Sequence, residues 1–108
     1  MTKSVGSVAL TEAVYYVLLS LQVPRHGYGI MQFVQELSNN RVQLAAGTLY
    51  GALSSLVEKG WIEAVEGASG RKKEYVITID GQSVLEAELV RLEELVANGK
   101  QWIGENRS

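Results

Sequence analysis

The sequence predicts a mainly α fold with a small β-hairpin: a winged helix-turn-helix over residues 1–78, followed by a long C-terminal dimerisation helix over 79–108. Three observations predict it. Three early segments repeat apolar residues at steps of three and four, the mark of helices with one buried face. The period then shortens to two on either side of a basic, glycine-rich loop. A final stretch carries a narrow leucine seam on an otherwise acidic background.

The first helix is expected from about Ala9 to Leu21, where Leu10, Ala13, Val14, Val17, Leu18 and Leu21 share one face. Pro24 and Gly27 end it, since neither suits a helix interior. The second runs from about Tyr28 to Leu37 on Ile30, Phe33, Val34 and Leu37, and Ser38-Asn39-Asn40 closes it. Val42 and Leu44, two apart, suit a short extended piece. The third helix starts between Ala46 and Thr48, buries Leu49, Ala52, Leu53, Leu56 and Val57, and stops at Gly60.

Trp61–Glu66 and Tyr75–Ile79 read as the two strands, with the loop Gly67 to Lys73 between them. Trp61 is expected to plug the core, and His26 to be a turn residue without a further role. The last helix spans about Ile79 to Asn106. Its seam is Leu85, Leu89, Leu92, Val96 and, one heptad later, Ile103, with Gly99 interrupting it. This reading foresees no partner for the seam inside the chain, so a second copy is the simplest cover.

Composition narrows the function. At 46% hydrophobic and 20% charged residues, the 108-residue chain is balanced for one globular domain. Without cysteine it has no disulfides, no thiol nucleophile and no thiolate metal site, and a single histidine makes no cluster. Neither a metal nor a cofactor is therefore expected. The apolar run from Ala13 to Val23 is too short to cross a bilayer, and Pro24-Arg25-His26 replaces the small residues of a cleavage site. It reads as a core helix of a cytoplasmic protein with no membrane partner.

Catalysis is not expected either: the carboxylates are scattered, with Glu93 and Glu94 on different helix faces. Charge is divided unevenly. Residues 1–78 hold seven cations against six glutamates, net +1, and residues 79–108 hold three cations against Asp80 and five glutamates, net −3. A mildly basic body suits a polyanion, and an acidic tail suits a protein partner.

A helix that fits the major groove, beside a hairpin whose tip reaches phosphate, is the arrangement by which such folds hold duplex DNA. The motifs agree. Gly47-Thr48-Leu49-Tyr50, followed by Ala52-Leu53, Leu56, Gly60 and Ile62, resembles the signature of PadR-type transcriptional regulators. His26 to Ile30 resembles the start of that family's second helix, and Gly70 to Tyr75 with Thr78 to Gly81 its wing and final turn.

The resemblance implies a homodimer on a palindromic DNA operator, usually a repressor, often released by a small molecule. It implies DNA contacts from Thr48 and Tyr50 on the third helix, from Tyr28 to the phosphate backbone, and from Arg71, Lys72 and Lys73 on the wing; Ser54, on the same helix, is a further candidate for sequence reading. Relatives often carry Arg or Lys on the outer face of that helix, where this chain has Gly51, Ser54 and Ser55. A bidentate arginine reader is thus absent there, leaving smaller contacts or DNA shape.

Trp102 either packs at the dimer seam or lines a pocket, with Tyr15 and Tyr16, for a small aromatic or apolar effector. The alternative function is a winged helix used only to bind protein, which salt-dependent duplex binding would exclude.

Overall fold

A computed structural model describes residues 9–67 and 73–106 of the chain. The order is α1 (Glu12–Ser20), α2 (Gly27–Leu37), α3 (Ala46–Lys59), β1 (Ile62–Glu66), β2 (Lys73–Ile77) and α4 (Ile79–Asn106). This is the expected winged helix-turn-helix with a long terminal helix.

Local chemistry sets the boundaries. α1 begins later than its apolar pattern because Thr11 caps it, the hydroxyl accepting the Val14 N–H at 3.1 Å. α2 is capped by His26, whose Nδ1 accepts the Gly29 N–H at 3.3 Å. Asn39 and Asn40 then turn the chain through left-handed conformations, φ 55° and 67°, which asparagine tolerates better than most residues.

The short piece between α2 and α3 pairs with no strand among the described residues, and Val42 and Leu44 instead pack half-buried on the core. Gly60, at φ 79°, ends α3 in the left-handed region, as its position in the sequence suggested.

The hairpin is antiparallel, with Ile62 opposite Ile77 and Glu66 opposite Lys73. Its second strand lies two residues earlier than expected. Thr78 ends it: its N–H donates to the Trp61 carbonyl at 3.0 Å and its hydroxyl to the Gly60 carbonyl at 2.6 Å, while the same oxygen accepts the Gly81 N–H. Ile79 therefore starts α4. On its other edge β2 is joined to the α1–α2 turn, because Arg25 and Tyr75 exchange backbone hydrogen bonds at 3.0 and 2.9 Å.

The core is formed by Val17, Leu18, Leu21, Ile30, Val34, Leu49, Leu53, Leu56 and Ile62. Leu37 and Val57, assigned to the buried stripes, lie at their edges and stay exposed. Leu85 also belongs to this core, and this corrects the seam. The first turns of α4 lie on α1, so Val84, Leu85 and Glu88 are buried within the chain and Leu85 is not an exposed dimerisation residue. Beyond Glu88 the helix leaves Leu89, Val90, Leu95, Val96, Trp102 and Ile103 exposed.

Candidate nucleic-acid interface

Three elements meet at one open cleft of about 310 Å³, lined by His26, Gly27, Tyr28, Tyr50, Lys73 and Tyr75. The His26 cap fixes where α2 starts and so where Tyr28 stands. Leu49 and Leu53 anchor α3 from beneath, which turns Tyr50 outward. The Arg25–Tyr75 pairing holds the first residues of β2, Lys73 among them, against the start of α2. Tyr28 and Tyr50 are 60% and 48% exposed, so both side chains stand at the protein surface.

Of the expected DNA-contacting residues, the fold brings Tyr28, Tyr50 and Lys73 together. Thr48 and Ser54 share the exposed outer face of α3 with Gly47, Gly51 and Ser55. Lys73 is not in the loop, where the sequence reading put it, but is the first residue of β2, because its partner Glu66 extends the ladder. Arg71 and Lys72 lie outside the described residues.

Two residues of this region were missed. His26 is a helix cap, a role that its position just before Gly27-Tyr28-Gly29 could have signalled. Arg25 is committed to structure: its Nε donates to the Ser20 carbonyl at 2.7 Å and its guanidinium lies 4.6 Å from the Phe33 ring centroid.

A second cleft, about 300 Å³, lies between α1 and α4, lined by Leu10, Glu12, Tyr15, Tyr16, Glu88 and Leu92. Tyr15 and Tyr16 meet edge to face with centroids 6.2 Å apart. Trp102 is not with them: it is ten residues past Leu92, about 15 Å further along the helix axis, and is 60% exposed. One protomer therefore does not assemble the expected aromatic trio.

The missed residue here is Glu88. It is buried, accepts two 2.7 Å hydrogen bonds from Arg91, and accepts the Leu10 N–H at 3.2 Å. The Arg91 guanidinium holds its carboxyl below the ordinary glutamate value. Glu12 is lowered in the same way by Arg41, which pairs with it at the surface and reaches the Tyr16 hydroxyl at 3.5 Å.

Further out, Leu89, Leu92, Val96 and Ala97 line an apolar groove of about 450 Å³ along α4. Among the described residues no three His, Cys, Asp or Glu are grouped to hold a metal ion, and no helix is long and apolar enough to cross a membrane.

The model of the Transcriptional regulator PadR-like family matches residues 16–87, a span covering α2, α3, the hairpin, the second half of α1 and the start of α4. The chain belongs to the PadR-like family of transcriptional regulators. As a PadR-like protein it is a DNA-binding regulator and not an enzyme.

Two curated relatives match part of the chain. The chain is 38% identical over 76 residues to "Uncharacterized protein X" of Lysinibacillus sphaericus, covering 68% of this chain and 69% of that protein. It is 37% identical over 65 residues to the "Uncharacterized 37.1 kDa protein in transposon TN4556" of Streptomyces fradiae. That match takes in 60% of this chain but only 18% of the relative's length. Among solved structures, the fold is similar to that of a PadR family transcription regulator from Clostridium difficile R20291, with a TM-score of 0.72 and 22% identity over 86% of this chain and 99% of the other.

Proposed function

We propose that this PadR-like chain binds a palindromic operator as a homodimer and represses transcription by occupying it, in the cytoplasm where the chromosome is accessible. The observation that carries the reading is the cleft shared by Tyr28, Tyr50 and Lys73, beside the exposed Thr48 and Ser54 of α3. Tyrosine hydroxyls and a lysine ammonium at one rim suit phosphate oxygens, which position a protein on a duplex. The small polar face of α3 suits base edges in the major groove, and Arg71 and Lys72 add to the wing's positive charge.

The dimer would be closed by the outer part of α4, where Leu89, Leu92, Val96 and Ile103 present apolar surface. Two-fold symmetry then sets the recognition helices about 34 Å apart, one turn of DNA. The tyrosine-lined cleft between α1 and α4 is the proposed seat of a small aromatic or apolar effector, because it joins the DNA-binding body to the dimerising helix. Trp102 would contribute to that seat only from the partner subunit.

The deciding experiment is a salt titration of binding to the duplex upstream of the protein's own coding region, against random duplex. Tight, preferential binding that falls steeply with salt supports the reading. No binding even at low salt would favour a protein-interaction module.

A further inference from the structure

We propose that Gly27 is a positioning residue for DNA contact, and that it acts through Tyr50. The inference rests on the operator-binding reading and deepens it.

A Cβ placed on Gly27 would lie 2.2 Å from the Tyr50 Oη, 2.7 Å from Cζ and 3.2 Å from Cε1. The first two separations are below anything a real Cβ tolerates, so the end of the Tyr50 ring occupies the space that any other residue would fill. The neighbouring glycines differ. Gly29 has nothing nearer than 3.8 Å, and Gly47 and Gly51 have nothing within 4 Å. Gly27 is not there for its backbone either, since it opens α2 in helical conformation. Its missing side chain is what lets α3's tyrosine lie against the start of α2.

The consequence is functional more than structural. The group displaced by a Cβ would be the far end of a half-exposed side chain, which can swing into solvent while α2 and α3 keep their packing through Ile30, Leu49 and Leu53. What would be lost is the place of the Tyr50 ring end in the cleft that it lines with Tyr28 and Lys73. Those three groups come from α2, α3 and the wing, so their juxtaposition ties all three elements to one stretch of phosphate backbone.

The test is a double-mutant cycle of Gly27→Ala and Tyr50→Ala, read as affinity for a random-sequence duplex at low salt together with the thermal midpoint. Gly27→Ala is expected to weaken binding about tenfold at an unchanged midpoint, as for a lost hydrogen bond to a charged group. The double variant should bind no more weakly than Tyr50→Ala alone. Losses that multiply, or a Gly27→Ala protein that binds like wild type, would overturn the assignment while leaving operator binding standing. If Gly27→Ala lowers the midpoint, the double variant should restore it, and failure to do so also overturns the assignment. A wild-type protein that binds no duplex at low salt would overturn both readings.

Discussion

A Cβ on Gly81 would lie 2.0 Å from the carbonyl oxygen of Trp61 and 2.8 Å from its carbonyl carbon. The first turn of α4 thus rests directly on the backbone that enters the wing, and Thr78 fastens the two with three hydrogen bonds. Backbone cannot rotate aside as a side chain can. Gly81→Ala should therefore destabilise the fold by roughly 1–3 kcal/mol, the usual range for overpacking. Gly51→Ala, in open space inside α3, should stabilise it by about 0.5–1 kcal/mol through helix propensity. Urea midpoints of the two variants should move in opposite directions.

The two halves of α4 should respond differently to the same charge. Leu85 is 5% exposed in the intrachain core and Val96 is 55% exposed on the outer helix. Leu85→Asp buries an unpaired carboxylate and should cost the fold about 3–5 kcal/mol. Val96→Asp should leave the protomer folded and weaken self-association at least hundredfold, about 3 kcal/mol. Circular dichroism with sedimentation separates the cases. A Val96→Asp protein that stays dimeric at micromolar concentration would place the dimer contact elsewhere.

Why Leu85 read as seam is a lesson in what periodicity holds. A leucine at heptad spacing has the same signature whether its cover is another element of the chain or a second copy. Only the course of α1 over the first turns of α4 decides, and that is a tertiary fact. Glu88 was passed over for the related reason that a stripe of apolar residues is read by skipping the charged one between them. The order of elements was legible, because caps, breakers and changes of period are local. Strand ends were less so. Tyr75 to Ile79 alternates well, but the Thr78 hydroxyl, which alternation does not weigh, draws the chain into a helix. At the cleft proposed to face DNA, Tyr28, Tyr50 and Lys73 were each nameable from motif and composition. Gly27 was legible as a helix breaker and as part of the His26–Ile30 motif, but not for its use, which depends on a side chain 23 residues away.

Glu88 sets an acid limit on stability. Arg91, through its paired hydrogen bonds, lowers the Glu88 carboxyl from its ordinary value of 4.5. The folded state therefore binds this proton more weakly than the unfolded state does. Its stabilisation is complete above the ordinary glutamate value and is lost as pH falls through the lower folded value. Glu88→Gln should cost about 1.5–3 kcal/mol at neutral pH, the range for hydrogen bonds to charged groups. The gap from wild type should close as pH drops below 4.5. Glu12, lowered by Arg41, titrates in the same direction but is present in both proteins and cancels in the comparison. Urea midpoints taken across acid pH measure the gap directly, and a constant gap would mean the Glu88 charge contributes nothing.

DNA binding should divide along the boundary between wing and recognition helix. Lys73 lines the cleft but sits opposite Glu66 in the ladder, where a directly facing carboxylate offsets part of its field. Lys73→Ala should weaken binding to every duplex alike and reduce the slope of log affinity against log salt by about one. Glu66→Gln should do the reverse in affinity, raising it on all sequences. Thr48→Ala and Ser54→Ala, on the outer face of α3, should instead change which sequences are preferred, by about 1–3 kcal/mol per base pair affected. Selection of bound sequences from a random pool, repeated with each variant, separates the two classes. An unchanged preference with Ser54→Ala and Thr48→Ala would leave sequence to be read through DNA shape, with α3 serving only to fill the groove.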